Sequence, residues 1–482
     1  MGFGVLLRVA QYLFNRSLWL DEAMLANNML STTFWDLFKP LGDHQAAPIG
    51  FLIVEKSLIQ LGGSSEYVLR LFPLLCGVIP LFLFYRVAVK TLEANAVPIA
   101  LILFSVSDQL IYFSSELKQY SSDVSVALLL YALVPGVQSK KLGVAEIAFY
   151  GVLGGLAIWF SHPAVFVLAG LGTSMTLGYG AKKQWAEMNR LLAVCLCWFV
   201  SFAAFYFVSL KDLSHRQYLQ VFWSNTFFPL FPKTTSDFRW FWETFFGYFD
   251  NPIRLFPPLA SLLYLLGIFS MVLKKRTIFF LLISPLFFLI LASGLHKYPF
   301  SRRLLLFSVP FALLFIAEGA EFMRAKMSGR LSILGMGIIG LLISPPFFQA
   351  SYHLVRPRTH DEIKPVMHYM RDHWRHGDFI YVYSVAKHPF RYYQEKYNFK
   401  ESDFLIGKRR SENNRYLYNQ DFDPLREKQR IWVLFTRFHR KNAARDRKFI
   451  LHHLDQIGEN RDLFEAPKAA VYLYNFRKDS LK

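Results

Sequence analysis

The sequence predicts a mainly α-helical, polytopic membrane protein with a small α/β domain at its C-terminal end. Of the 482 residues, 53% are hydrophobic and only 18% are charged, whereas soluble domains are roughly a quarter charged. Long apolar runs recur up to about residue 350, and strand-like and helix-like patterns alternate after it. These observations exclude a cytosolic enzyme, a disordered chain and a secreted disulfide scaffold.

The apolar runs predict a transmembrane bundle of about 11 spans. Spanning a bilayer takes about 20 residues. The N-terminal run ends near residue 14 and is too short, so we expect the outer part of a truncated first helix, or else a half-inserted helix. The remaining runs lie at 68–89, 96–114, 122–138, 143–160, 163–180, 191–210, 256–273, 277–295, 303–320 and 331–349.

The basic residues between the spans predict the orientation of the bundle. Lys and Arg are enriched in cytoplasmic loops, and here they fall on alternate loops. The other loops and everything after residue 350 are then extracytoplasmic. Residues 48–62 carry Glu55 and Lys56 in their middle, so we expect a juxtamembrane helix along the membrane surface, with a second interfacial piece at Trp35 and Phe38. The loops predicted to be cytoplasmic carry Arg86/Lys90, Lys140/Lys141, Lys182/Lys183/Arg190, Lys274/Lys275/Arg276 and Arg324/Lys326/Arg330.

The C-terminal part, residues 351–482, is predicted to be a soluble α/β domain, separate from a membrane domain over 1–350. It holds 27 Lys and Arg against 17 Asp and Glu, out of a net charge of +19 for the chain. Such charge favours contact with anionic membrane lipids; with no recognition motif present, we expect no nucleic-acid partner. Thr359 and Glu362 predict a capping box. The predicted strands and helix follow at 378–384, 430–436, 469–475 and 441–457, the helix stopping at Gly458.

Two pairs of polar residues stand in the first predicted external loop. Asp21 and Glu22 lie near its start, and Asp43 and His44 near its end. Carboxylates beside a membrane helix suit a general base or a ligand of a metal or sugar hydroxyl. Alternatively, Asp21 and Glu22 stabilise the N-terminus of a helix over 21–31 through its dipole. The second pair favours the functional interpretation.

Two later external loops also carry charge. Glu116, Lys118 and Tyr120 alternate along a short turn, either as part of a site or as an ordinary polar loop with a weak ion pair. A later loop places positive charge outside, against the positive-inside trend. This suits a phosphate or diphosphate at the bilayer edge, or else lipid head-group anchoring. Its residues are Lys297, Tyr298, Arg302 and Arg303.

The loop 211–255 is rich in Phe and Trp. It is typical of an interfacial aromatic belt. The alternative is a groove wall for an acyl or polyprenyl chain, or a surface on which sugars stack.

Four of these segments together resemble a known family, the GT-C superfamily of polytopic glycosyltransferases that use polyprenyl-phosphate sugars. The resemblance covers the whole chain and is strongest to the bacterial branch related to protein O-mannosyltransferases and lipid A aminoarabinose transferase. The segments are NRSLWLDEA (15–23), DHQAAPIG (43–50), SSELKQY (114–120) and HKYPFSRRLLLF (296–307).

The resemblance implies a role for each candidate residue. Asp21 matches the catalytic base, Glu22 its acidic neighbour and Glu116 the second-loop acid. Asp43 and His44 match a place where relatives make donor or metal contacts. The donor phosphate would be held by the remaining candidates, Lys118, Tyr120, Lys297, Tyr298, Arg302 and Arg303.

The implied activity is inverting transfer of a hexosyl or pentosyl group from a polyprenyl-phosphate donor to a hydroxyl of a lipid, glycan or protein acceptor. It would occur at the external face of the bacterial plasma (inner) membrane. No cofactor follows from the sequence, although Asp43 and His44 could bind a divalent metal; their spacing matches no specific metal signature. The alternative is a secondary transporter or a lipid-carrier flippase, which should place charges or broken helices at mid-membrane.

Overall fold

The computed structural model describes residues 1–139, 142–211, 217–329, 331–408, 410, 412–425, 427–439 and 441–476. Lys140, Lys141 and Arg330, which the sequence assigns to cytoplasmic loops, lie outside this part. The chain forms two compact units. The membrane unit comprises Met1–Phe14 and Thr33–Pro357, and the sheet unit comprises Asn15–Thr32 and Arg358–Lys482.

The chain therefore changes units at Pro357 instead of the predicted 350. In addition, residues 15–32 belong to the same compact unit as the C-terminal residues.

Helices form nearly all of the described chain before Pro357. The α-helices there are α1 (Gly2–Leu13), α2 (Leu20–Ser31), α3 (Ile49–Gly62), α4 (Glu66–Leu69), α5 (Leu71–Thr91), α6 (Ala96–Val106), α7 (Asp108–Phe113), α8 (Tyr120–Ser139), α9 (Val144–Phe160), α10 (Ala164–Ala181), α11 (Trp185–Phe205), α12 (Gln217–Phe222), α13 (Thr235–Tyr248), α14 (Pro257–Lys274), α15 (Arg276–Gly294), α16 (Val309–Lys326) and α17 (Leu331–Val355). Helix α2 belongs to the sheet unit and the others to the membrane unit.

Eight helical segments in the described residues are long and apolar enough to cross a membrane, and two shorter apolar helices accompany them. The protein is thus a multi-pass membrane protein, as its composition predicts; the count of about 11 spans stays a prediction. The eight segments are Leu71–Thr91, Tyr120–Gln138, Ala164–Ala181, Trp185–Leu210, Pro257–Lys274, Arg276–Gly294, Arg302–Lys326 and Leu331–Val355.

The run predicted as one span over 96–114 is in fact broken. Helices α6 and α7 are separated by Ser107, whose backbone is extended (φ −61°, ψ 113°). The Asp108 carboxylate then lies 3.7 Å from Arg254 Nε and 3.6 Å from His353 Nε2. Buried charges need such partners. Hydropathy alone cannot reveal this break, because the partners of Asp108 lie more than a hundred residues away in the sequence.

Helix α3 covers the segment predicted to lie along the membrane surface, but its charged residues are not at a surface. Glu55 is 0% and Lys56 only 8% exposed. Burial raises the pKa of Glu55, and the neutral acid costs less than a carboxylate among apolar helices. Phe51, on the same helix, packs on Phe72 of α5 with ring centroids 5.8 Å apart. The helix is therefore part of the packed bundle.

Helix α16 is enclosed by the bundle. Every residue from Val309 to Glu321 is buried. It crosses α14 at two glycines, where a Cβ on Gly267 or Gly319 would overlap backbone atoms of the opposite helix. Small residues that let backbones approach closely are typical of membrane helix packing.

The sheet unit is built on a mixed sheet. In its described part the strand order is β2-β1-β3-β5-β4. Strands β2, β1 and β3 are parallel, and β5 pairs antiparallel with β3 and β4. The elements are α18 (Ile363–Asp372), β1 (Phe379–Val382), α19 (Lys387–Tyr393), β2 (Phe404–Ile406), α20 (Asn419–Phe422), β3 (Arg430–Thr436), α21 (Lys441–Ile457), β4 (Gly458–Ala466) and β5 (Ala469–Phe476).

Helices cover both faces of this sheet. On one face, Phe390 of α19 packs on Phe404 of β2, with ring centroids 4.8 Å apart. On the other, Phe422 of α20 packs on Tyr381 of β1 at 4.5 Å. The predicted mainly α-helical fold with a small C-terminal α/β part is confirmed.

Local predictions in this unit were partly wrong. Helix α18 begins at Ile363, and Glu362 does not form a capping box with Thr359; its carboxylate accepts hydrogen bonds from the N–H and hydroxyl of Ser17. Strand β2 was missed because it has three residues, and β4 because it is a polar edge strand. Gly458 does end the helix, yet it also begins β4.

Candidate functional site

The loop around Glu116, the second that the sequence predicts to be external, is buried inside the membrane unit. Every side chain between α7 and α8 is buried, and Glu116 is 0% exposed. Lys118 Nζ donates to Gln45 Oε1 at 2.5 Å, and Gln119 Nε2 donates to the Ala46 carbonyl at 3.5 Å. These bonds join the second loop to the end of the first loop. Gln45, which sequence reasoning passed over, is thus a partner of a candidate phosphate-binding residue.

The late basic loop meets the second loop at Tyr120. The Arg303 guanidinium carbon lies 5.6 Å from the centre of the Tyr120 ring. Tyr298 donates its hydroxyl to the Leu304 carbonyl at 3.0 Å and packs edge-on against Phe166. Three loops that are distant in the sequence therefore contribute to one cluster, formed by Gln45, Lys118, Tyr120, Tyr298 and Arg303.

Four other candidates of the membrane unit have exposed side chains. Lys297 and Arg302 belong to the late loop, and Asp43 and His44 lie in consecutive left-handed conformations (φ 52° and 55°). The His44 ring stacks on Tyr218 at 4.1 Å. Among the described residues, no group of three or more His, Cys, Asp or Glu is arranged to hold a metal ion.

Asp123 is a further polar group that sequence reasoning did not single out. Its carboxylate accepts a hydrogen bond of 2.7 Å from Ser161, and it acts electrostatically on Tyr298. It lies three residues after Tyr120 on α8, and residues spaced by three share one helix face. That spacing is the sequence signal that could have revealed it.

An apolar cavity of about 330 Å³ lies in the membrane unit. Helices α13, α14, α15 and α16 line it together with the segment 300–308. This segment contributes Phe300, Phe307 and Ser308 to the wall, and it also carries the basic pair Arg302 and Arg303. Trp240, Phe241 and Phe245 line the cavity from α13. Aromatic residues of this segment thus line an apolar cavity, and their role as a groove wall stays a prediction.

The first-loop acids lie in the sheet unit, in the first turn of α2. Glu22 is fully buried, and its carboxylate is 3.7 Å from the equally buried Arg16 guanidinium. Asp21 is half-buried. Both acids are thus placed to interact favourably with the helix dipole. The two differ in burial, because Glu22 is fully buried beside an arginine while Asp21 is half-buried.

Residues around Trp19 hold the start of α2 against the sheet. The Trp19 ring lies 4.4 Å from the His360 ring and 5.3 Å from the Arg437 guanidinium carbon. Asp361 connects these two groups, with one oxygen 3.2 Å from His360 Nδ1 and the other 3.7 Å from Arg437 Nε. The Leu18 N–H donates to the Tyr393 hydroxyl at 2.9 Å. The loop before Asp21 is therefore fixed at several points.

No protein-family model and no curated protein sequence matches the chain. Solved structures do match it along nearly its whole length. ArnT from Cupriavidus metallidurans bound to undecaprenyl phosphate has a TM-score of 0.54 at 12% identity, covering 98% of this chain and 97% of that one. ArnT in the apo state has a TM-score of 0.53 at 11% identity, with the same coverage.

The Archaeoglobus fulgidus oligosaccharyltransferase, in complex with Zn and sulfate, has a TM-score of 0.51 at 11% identity and covers 99% of this chain and 73% of that chain. ArnT is a lipid A aminoarabinose transferase, and both proteins are GT-C membrane glycosyltransferases. At these identities the similarity concerns the fold. The resemblance found in the sequence is thereby confirmed at that level: the chain shares the fold of ArnT and of this oligosaccharyltransferase.

Proposed function

We propose that the protein is an inverting glycosyltransferase that transfers a sugar from a polyprenyl-phosphate donor to an acceptor hydroxyl. The observation that carries this proposal is the aromatic cavity whose wall segment, 300–308, also bears Arg302 and Arg303. An isoprenoid chain needs an apolar cavity, and its phosphate needs cations at the cavity edge. The fold shared with an ArnT that binds undecaprenyl phosphate supports the same assignment.

The donor phosphate would be bound by the cluster around Tyr120. Lys118 and Arg303 give this cluster its positive charge, and Lys297 and Arg302 add positive charge from exposed positions. As the bond between the sugar and the phosphate breaks, negative charge grows on the phosphate. Cations in a partly buried site stabilise that charge more strongly than cations in water. The leaving polyprenyl phosphate is a stable anion, so no proton donor is needed.

The acceptor hydroxyl would attack the anomeric carbon from the face opposite the phosphate. Its proton passes to Asp21, the new glycosidic bond forms, and the carbon–oxygen bond to the phosphate breaks with inversion. Glu22 would maintain the start of α2 through its ion pair with Arg16. Glu116, in the buried second loop, would keep Lys118 of the same loop in place. We place the reaction at the external face of the bacterial plasma membrane, with a lipid, glycan or protein as acceptor.

The Asp21→Asn variant tests the role of Asp21 as the general base. Because general-base catalysis contributes about 10²–10⁴-fold, Asp21→Asn should lower the rate of sugar transfer by that factor. The measurement uses purified full-length protein in detergent and a radiolabelled polyprenyl-phosphate sugar, with membrane lipid extract as the acceptor source. Asp36→Asn is the control, since Asp36 is an acid of the membrane unit that pairs with Lys39 at 2.8 Å.

Normal transfer by the Asp21→Asn variant would refute the base assignment. Failure of the unaltered protein to consume any labelled donor in detergent, combined with lipid movement in sealed vesicles, would instead support the transporter or flippase alternative.

A further inference from the structure

The carboxyl ends of β1 and β3 lie side by side, and the proposed transfer reaction uses no residue there. The two strands are parallel neighbours. The connection after β1 passes through α19, on the face where Phe390 packs on Phe404. The connection after β3 passes through α21, whose Ile450 and Leu454 share a core cluster with Tyr381 on the opposite face. The two connections therefore diverge, and in open α/β sheets ligands bind in the crevice that such divergence creates.

Two hydroxyl groups mark this crevice. Val382 pairs with Leu434 in the parallel register. Ser384 follows β1 in a short 3₁₀ turn and Thr436 is the last residue of β3, so both lie at the carboxyl ends of neighbouring strands. The oxygens Ser384 Oγ and Thr436 Oγ1 are buried, and Thr436 is 0% exposed. Neither oxygen has a hydrogen-bond partner within the described part of the chain. Buried hydroxyls of a folded protein normally bind a partner.

Basic residues lie on the turns next to these hydroxyls. Arg437 directly follows β3, and Lys468 lies in the tight turn between β4 and β5. Their backbones are held together, since the Arg437 N–H donates to the Lys468 carbonyl at 2.9 Å and both residues are left-handed (φ 58°). His439 is exposed two residues further. The crevice thus has three cationic or titratable groups on two adjoining turns.

The acidic residue nearby does not neutralise the positive charge of these groups. Partial burial and the positive charges of Lys468, His360 and Arg437 lower the pKa of His439, and Asp361 alone acts in the other direction. The Asp361 carboxylate is 2% exposed and already lies close to both His360 and Arg437. A local excess of positive potential remains, which attracts an anion.

We propose that this crevice, formed by Ser384, Thr436, Arg437, His439 and Lys468 and here called the switch-point site, binds a phosphate group. Hydroxyls and cations on converging turns match the several acceptor oxygens of a phosphate. The proposal is independent of the sugar-transfer reaction, because it uses none of the residues assigned to the donor or to the base. The phosphate could belong to a soluble ligand or to a lipid head group.

The test measures phosphate binding by the purified full-length protein in detergent. Inorganic phosphate is titrated and followed by isothermal calorimetry, with the His439→Gln/Lys468→Gln double variant beside the unaltered chain. Loss of the Lys468 charge together with the hydrogen-bonding imidazole of His439 should weaken binding by at least about tenfold. Lys428→Gln is the matched control: this exposed lysine lies over Phe379 at the opposite end of β1, 5.3 Å from the ring centre, and its loss should leave binding unchanged.

A second variant separates binding from folding. Thr436→Val keeps the shape of the side chain and removes the hydroxyl, so it should fold normally and still weaken phosphate binding several-fold. A parallel arm uses phosphatidylglycerol vesicles in place of inorganic phosphate. Weakened binding in the phosphate arm assigns the site to a soluble ligand, and weakened binding only in the vesicle arm assigns it to a lipid head group. Equal binding by all variants in both arms would overturn the proposal.

Discussion

At the residue scale, burial separates side chains that look equivalent in the sequence. Arg302 and Arg303 are adjacent, yet Arg302 is exposed while Arg303 is half-buried over the Tyr120 ring. In the same way, Glu22 is buried against Arg16 and Asp21 is half-buried. Electrostatic interactions strengthen as water is excluded. The half-buried arginine should therefore contribute more to donor binding than its exposed neighbour.

The Arg303→Ala variant should reduce kcat/KM for the polyprenyl-phosphate donor by about 10–100-fold, the range expected for one charge-assisted contact. The matched Arg302→Ala variant should change it by much less. Initial rates at varied donor concentration measure both variants. A larger loss with Arg302→Ala would contradict the cluster around Tyr120 as the phosphate site.

At the element scale, close helix contacts shape the bundle more than hydropathy does. Helices α14 and α16 touch through Gly267 and Gly319, where no side chain fits. Both helices were predicted as apolar runs, but the runs themselves give no information about which helices become neighbours. Hydropathy also gives no information about the break at Ser107 or the burial of Glu55, because each depends on partners from other elements.

Gly319→Ala should destabilise the protein by about 2–3 kcal/mol, as overpacking of a tight interface does. The added Cβ would overlap the Leu263 carbonyl, so α14 and α16 must move apart. Gly337→Ala on α17 is the control, since a Cβ there meets nothing within 4 Å, and alanine favours helix over glycine. Thermal unfolding in detergent, followed by tryptophan fluorescence, compares the two; equal midpoints would contradict close α14–α16 packing.

At the scale of the whole molecule, charge and hydropathy predict how the chain crosses the membrane. Basic residues lie at alternate ends of the membrane helices, for example Lys182 and Lys183 after α10 and Lys274 and Lys275 at the end of α14. By the positive-inside rule we expect these ends to face the cytoplasm. The basic residues of the sheet unit would then be extracytoplasmic.

A reporter fused after Lys482 tests this orientation. Alkaline phosphatase, which is active only outside the cytoplasm, should be active there, and a fused green fluorescent protein should remain dark. The same reporters fused after Lys183 should give the opposite pattern. Fluorescence of the fusion after Lys482 would contradict the orientation on which the proposed external reaction depends.

Much of the architecture could be predicted because it depends on local patterns. Apolar runs fix where helices can span, and alternation or a 3.6-residue period fixes β3, β5 and α21. The short strand β2 and the polar strand β4 lack such patterns, since their conformation is imposed by pairing with neighbours. The candidate residues could be chosen from the sequence, but not their contacts.

By itself, the sequence of this protein determined a multi-pass helical membrane protein with a C-terminal α/β part, and a set of acids and cations on particular loops. Only the tertiary structure decided that Lys118 meets Gln45, that Arg303 lies over Tyr120 and that residues 15–32 pack with the sheet. It alone brought Ser384 and Thr436 to the carboxyl ends of two neighbouring parallel strands. The physical reason is that hydropathy and periodicity are properties of neighbouring residues, whereas contacts depend on how distant segments share buried space.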